Sequence, residues 1–345
     1  MQSTRSSSIL LIVSVVATLL IWLPSAQSAP KYSVLHAFGK GKDGAGLWGS
    51  LLLDRKGNVY GTTTAGGSYG GGIVFELTSK THGKWTETIL HNFDGSDGDG
   101  SDGALLFDPA GNLYGTTTRG GAHGYGTVFE LTPESGDWME TILHSFDPND
   151  KGGCCPYAGI VIDASSNLYG TTGAVFKLSL SPGGWTETIL HDFTCRHDDG
   201  CEPFSGVIRD GAGNLFGTTE HGGSSKNCDA GCGIVYQVKP MSGGKWRETI
   251  VHSFGGSGDG AFPGVGALTL DQSGNVYGTT DVGGPAGYGT VFKLTPKANG
   301  RWKETILHSF PKAQMETTSA RAWCLTGRAI STAPPLPAEH NAIAA

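Results

Sequence analysis

The residues most suited to chemistry in this chain are the acids of one glycine-rich segment, Gly95-Ser96-Asp97-Gly98-Asp99-Gly100-Ser101-Asp102-Gly103. Asp97, Asp99 and Asp102 could offer hard oxygen ligands to calcium, the one cofactor the sequence suggests, although the spacing and closing glutamate of an EF-hand are missing. A solvated acidic turn is the alternative, and comparable segments such as Gly256 to Gly260 hold fewer acids. Histidines recur at 36, 91, 144, 191, 252 and 308, each in a Leu/Val-His-x-Phe sequence. Simple strand alternation places each on the face of the isoleucine two residues before it and the phenylalanine two residues after it, which reads as a hydrogen-bonded structural histidine repeated in every unit.

Six of the seven cysteines lie between Cys154 and Cys232. Cys195/Cys201 and Cys228/Cys232 are spaced to staple loops, Cys154 and Cys155 are adjacent, and connectivity cannot be read from spacing alone. Zinc is the competing reading, but it would need thiolates from different loops to converge, with no Cys-x-x-Cys pair present. Nothing assigns a catalytic nucleophile, base and orienting acid. Gly120-Gly121-Ala122-His123-Gly124 precedes a strand and lacks the following Lys-Ser/Thr of a phosphate loop.

These residues sit in a repeated frame. An apolar run ends in aspartate (Asp54, Asp108, Asp163, Asp210, Asp271), and Gly-Asn, or Ser166-Asn167 in the third copy, follows two residues later. The carboxylate can accept backbone N–H groups of a tight turn there, so these five aspartates are expected to be turn residues. Next comes Asn-(Leu/Val)-(Tyr/Phe)-Gly-Thr-Thr, whose glycine suggests close backbone approach near the axis of a radial sheet array. A variable Gly-Gly loop, deleted after Thr172 and enlarged around Cys228, leads to a third strand such as Val74 to Leu77. A fourth strand runs from a tryptophan (85, 138, 185, 246, 302) through Glu-Thr-Ile-(Leu/Val)-His-x-Phe.

Four short strands per unit of roughly 50–60 residues predict an all-β, propeller-like array of about five four-stranded modules over residues 31–310. Combined in this order, Asn-Leu-Tyr-Gly-Thr-Thr, Gly289 to Pro296 and Glu304 to Phe310 resemble the Gloeobacter and Verrucomicrobia (GloVer) tandem repeat from about Tyr32 to Phe310. That resemblance implies an exported, often surface-associated bacterial protein without an established reaction, in some members carried with a C-terminal anchor that is not visible here. Six copies of the histidine strand accompany five of every other strand, which complicates closure into a ring.

Arg5, the apolar run from Ile9 to about Leu23 and the small residues Ala26 and Ser28 read as a signal peptide over residues 1–28, with an uncleaved anchor as the alternative. Cleavage predicts a secreted, periplasmic or surface-associated chain without membrane insertion. Residues 311–345 abandon the pattern and read as a disordered tail or a foreign ending. A net charge of -7 without a basic stretch gives no reason to expect nucleic acid as a partner. Two functions remain open: a non-enzymatic binding or structural module that presents its variable loops to a protein or glycan, and a secreted polysaccharide hydrolase or lyase. The enzyme would need acids outside the repeat gathered around one cavity.

Overall fold

The aspartate turn is the simplest local unit. Asp271 Oδ1 accepts the backbone N–H groups of Ser273 and Asn275, while Asn275 Nδ2 and Tyr277 Oη donate to Oδ2. Burial works against its ionisation, but these donors outweigh it and hold the carboxyl at about 2. Asp54, Asp108, Asp163 and Asp210 accept the same two backbone N–H groups in their own turns. Each turn joins a two-residue first strand to the second strand of an antiparallel sheet.

The structure, a computed structural model, describes residues 33–39, 42–149, 151–196, 199–255, 258–264, 266–311, 325–326 and 329–330. The proposed signal peptide and nearly all of the divergent tail lie outside these residues. The chain divides into one unit of residues 1–37 with 342–345, whose described residues carry no strand, and a second of residues 38–341.

The second unit holds five four-stranded antiparallel sheets, each with its strands in sequential order. Module 1 comprises Leu52–Leu53, Val59–Thr62, Ile73–Ser79 and Trp85–Asn92, and module 2 Leu106–Phe107, Leu113–Thr117, Thr127–Glu134 and Asp137–Ser145. Module 3 comprises Val161–Ile162, Leu168–Thr171, Ala174–Ser181 and Gly184–Asp192. Module 4 comprises Ile208–Arg209, Leu215–Thr219, Ile234–Pro240 and Trp246–Ser253, and module 5 Thr269–Leu270, Val276–Thr280, Thr290–Pro296 and Trp302–Ser309. Two short strands, Leu325–Thr326 and Ala329–Ile330, pair outside the modules.

Each sheet is apolar on both faces, so successive modules must stack. Tyr60, Val74, Leu90 and Phe93 of module 1 pack on Leu105, Leu113, Phe129 and Leu131 of module 2. The same positions recur between modules 2 and 3, 3 and 4, and 4 and 5. Rings meet edge-on across these interfaces, Phe93 with Phe129 at 5.2 Å and Phe146 with Phe176 at 5.2 Å. Ahead of module 1, Phe38 lies 4.7 Å from Phe75, taking the role that Phe93 plays for module 2. On the trailing face of module 5, Leu307 is 40% exposed, whereas the equivalent Leu90 is 6% exposed.

Two sequence expectations change. The second-strand glycine does not mark the axis; it makes room for the aromatic ring directly opposite it on the third strand. A Cβ on Gly115 would lie 2.5 Å from Phe129 Cζ. Nor does the histidine share its face with the preceding isoleucine. The register between third and fourth strands slips by one residue in every module, between Ile142 and His144 for instance, so the intervening leucine, or Val251 in module 4, is a β-bulge. Ile189 consequently packs on the module before its own, while Leu190 and His191 both turn toward the module after.

Module 4 departs from the ring-over-glycine pattern in one atom. Tyr236 occupies the position held elsewhere by phenylalanine, is fully buried, and its hydroxyl has no hydrogen-bond partner among the described residues. Restoring the apolar ring with Tyr236→Phe is expected to raise stability by about 1–3 kcal/mol, the cost of burying an unmet hydroxyl. Gly115→Ala should lower it by about 1–3 kcal/mol through overpacking, whereas Gly183→Ala, in open surroundings, should change it by less than about 0.5 kcal/mol. Urea unfolding of the three variants checks both statements; a destabilised Tyr236→Phe or a neutral Gly115→Ala contradicts the packing described.

Candidate functional site

Where the modules approach one another most closely, glycines let backbone meet backbone. A Cβ on Gly103 would stand 2.6 Å from Gly159 N of the next module. Threonines of the second strands lock this region: Thr62 Oγ1 donates to Ser101 O (3.1 Å), Thr116 Oγ1 to Ala158 O (2.9 Å) and Thr171 Oγ1 to Ser205 O (2.9 Å). Each bond runs from one module to the next. The residues held by these carbonyls border Asp102, Tyr157 and Phe204.

A cavity of ≈ 830 Å³ opens here, and its lining comes from all five modules or the segments leading into them. Trp48, Asp102, Tyr157 and Phe204 line it from one equivalent position of four modules, each three residues before the apolar residue that immediately precedes the first strand (Leu51, Leu105, Ile160, Val207). In each case the residue two before it adopts positive φ: Gly46 (71°), Gly100 (69°), Cys155 (66°) and Glu202 (60°). The left-handed kink turns the chain so that the next-but-one side chain faces the cavity, and Cys155 and Glu202 carry strain there that glycine avoids. Trp48 and Tyr157 are 60% and 47% exposed, and Tyr157 meets Phe204 edge-on at 5.1 Å. Asp102 is the only carboxylate among the described lining residues, and burial, partly offset by Arg119, raises its pKa.

A smaller recess of ≈ 290 Å³ shares Tyr157 and Phe204 with the cavity. The shortened loop of module 3, at Thr172 and Gly173, forms part of its wall, together with Cys154, Cys155, Cys195 and Glu202. Cysteines pair as Cys154–Cys155, Cys195–Cys201 and Cys228–Cys232. Beside the recess, Glu202 Oε2 lies 2.8 Å from His221 Nδ1, with Glu220 in the same group; these acids lie outside the repeat pattern. Burial raises the pKa of Glu220.

The three acids first considered for calcium do not converge. Asp97 Oδ2 lies 2.9 Å from His91 Nε2, Asp99 forms a two-point contact with Arg119 (both 3.2 Å), and Asp102 faces the cavity. Several other groups could coordinate a metal ion, among them His91–Asp97–Glu140 and His252–Asp259–Glu304. These two arise because the β-bulge aims a histidine across the interface at a glutamate two residues after the next module's tryptophan. Burial, reinforced by the neighbouring Asp97 or Asp259 and opposed by the histidine, pushes Glu140 and Glu304 up to about 7. The recurrence of that Glu beside that His at fixed offsets was a usable sequence signal for the contact; the equal offsets of Trp48, Asp102, Tyr157 and Phe204 were another, hidden in segments that read as turns.

Five sheets of this form, stacked through repeated apolar faces, define a tandem-repeat protein of propeller-like architecture. The profile of the Gloeobacter/Verrucomicrobia repeat matches residues 24–174 and again 171–322, and the chain belongs to that family. No curated protein matches it. Among solved structures it is similar to a proposed oxidoreductase (glucose dehydrogenase) of Thermus thermophilus, at 15% identity and TM-score 0.46 over 79% of this chain and 86% of the other. An endo-arabinanase of Bacillus licheniformis gives 13% and 0.39 over 78% and 100%. An exo-1,5-alpha-L-arabinanase from a bovine ruminal metagenomic library gives 12% and 0.39 over 79% and 100%. Identities and scores this low carry neither reaction nor substrate to this chain. No helix among the described residues is long and apolar enough to cross a membrane.

The interface carboxyls make stability depend on pH. Burial raises Glu248 above its ordinary 4.5, with Asp199 adding to the shift and His191 opposing it. A carboxyl whose pKa is raised on folding holds more protons folded than unfolded, so its contribution is complete below 4.5 and is lost as pH rises through the folded value. Unfolding free energy measured from about pH 4.5 to 8 should therefore carry a downward component that Glu248→Gln removes; identical slopes for the two proteins would rule the contribution out.

Proposed function

We propose that the protein is an exported, non-enzymatic binding module that takes a glycan chain in the larger cavity. The observation that carries this reading is the placement of Trp48, Tyr157 and Phe204 with Asp102 at one equivalent position of four modules. A cavity with mainly apolar walls and a few polar groups is the usual form of a small-ligand site. Aromatic rings on a pinned backbone lose little entropy when a ligand stacks on them, and a sugar ring offers C–H faces to such rings and hydroxyls to a carboxylate. Export rests on the pattern of residues 1–28 and places the partner outside the cytoplasm, at the cell surface or beyond.

Polysaccharide hydrolysis is the second reading, favoured by the unrepeated Glu202, Glu220 and His221 beside the smaller recess. Glycoside hydrolysis ordinarily uses two carboxyls flanking the bond, one of them with a raised pKa. The larger cavity itself offers Asp102 as its one carboxylate among the described lining residues.

A glycan array followed by calorimetry on the best oligosaccharide separates the two. Trp48→Ala and Tyr157→Ala should each weaken binding at least about tenfold, roughly 1.4 kcal/mol, while Met241→Ala, at an exposed site away from the cavity, leaves it unchanged. Binding that survives both ring truncations removes the cavity reading. Cleavage of the bound glycan, abolished by Glu220→Gln, would replace it with the hydrolase.

A further inference from the structure

The interfaces between successive modules share residue types, so the differences between them carry information. Between modules 1 and 2, His91 Nε2 and Asp97 Oδ2 are 2.9 Å apart, and between modules 3 and 4, His191 Nε2 and Asp199 Oδ1 are 3.0 Å apart. These are ordinary hydrogen bonds. Asp199 is in addition saturated by Thr194 N, Thr194 Oγ1 and Gly200 N, which leaves little capacity for a further partner.

Between modules 4 and 5 the same three residue types stand differently. His252 Nε2 lies 3.4 Å from Asp259 Oδ2 and 3.7 Å from Glu304 Oε1. Both separations exceed the usual ~2.7–3.2 Å of an N–H···O hydrogen bond. His252 Nε2 and Glu304 Oε1 are buried atoms with no hydrogen-bond partner among the described residues. Asp259 is held in place from behind, because Gly255 N donates to Oδ2 and Gly260 N to Oδ1, both at 2.7 Å. The imidazole is braced edge-on against Phe254, at 4.7 Å. His252 thus faces both carboxylates at separations longer than a direct hydrogen bond.

We propose that His252, Asp259 and Glu304 form a divalent transition-metal site of the zinc class that joins module 4 to module 5. Donors bound at ~2.0–2.1 Å around a tetrahedral ion stand about 3.3–3.4 Å apart, close to the spacing observed. One imidazole with two carboxylates suits zinc, manganese or iron, whereas calcium takes about 6–8 oxygens. A neutral imidazole and two carboxylates carry two negative charges, which a divalent ion balances. The side chains retain 18–21% exposure, so water can reach a fourth coordination position. The ligands come from the fourth strand of module 4, the loop after it and the fourth strand of module 5, so the ion would clamp the module whose trailing Leu307 is exposed.

The test is calorimetric titration of the chelator-stripped chain with zinc chloride, then with manganese and calcium chlorides, with thermal melts in parallel. One equivalent of zinc should bind, raise the melting temperature, and bind at least tenfold more weakly to His252→Gln and to Glu304→Gln, while His191→Gln binds it as the unaltered chain does. Absence of zinc binding, undiminished binding by both site variants, or calcium binding in preference to zinc overturns the proposal. Should the variants fail to fold, cobalt(II) added to the unaltered chain reads the geometry: an intense four-coordinate visible spectrum, displaced by zinc, supports the site, and a weak six-coordinate spectrum or none overturns it.

Discussion

A small sheet that is apolar on both faces cannot remain alone in water, and the rest of this structure follows from that constraint. Each interface removes two rows of side chains from solvent, Tyr60, Val74, Leu90 and Phe93 against Leu105, Leu113, Phe129 and Leu131 in the first pair. At ~25 cal/mol per Å² of apolar surface, contacts of this kind outweigh anything the exposed ion pairs contribute. The aspartate turns and threonine bonds are polar devices that keep the strands in register while the apolar faces close. Stability is therefore expected to pass from neighbour to neighbour rather than to reside in one central core.

The β-bulge in the fourth strand converts this stacking into chemistry. Without it, His191 would lie on the face of Ile189 and point back toward module 2; with it, the imidazole reaches Asp199 and the neighbourhood of Glu248. One extra residue per strand thus places a titratable group in every interface. The surrounding loops then decide what that group meets: a saturated aspartate at Asp199, or the open arrangement at Asp259.

Strands, modules and fold class were legible in the sequence because hairpin chemistry and hydrophobic alternation are local and were written five times over. What failed was whatever depended on register or direction. The bulge is invisible to simple alternation, since Ile-Leu-His reads as an uninterrupted strand. The acids at 97, 99 and 102 looked like one ligand set because they are close in sequence, yet positive φ at Gly95 and Gly100 turns the chain around them, and the carboxylates go to His91, to Arg119 and to the cavity. The second-strand glycine was read as a point of close backbone approach near an axis, and only the opposing strand reveals that an aromatic side chain fills the space.

The positions of Trp48, Asp102, Tyr157 and Phe204 have a consequence for how such a chain can be altered. Each occupies its own short segment, and a threonine of the preceding module grips the backbone beside the last three. Exchanging one of these side chains changes one wall of the cavity and leaves the walls supplied by other modules in place, so contributions from separated walls should combine nearly additively. Recognition in this architecture is therefore addressable: Trp48, Asp102 and the Tyr157–Phe204 pair, whose rings touch, are three replaceable letters on a common frame, each of which can be rewritten without disturbing the packing that holds the page together.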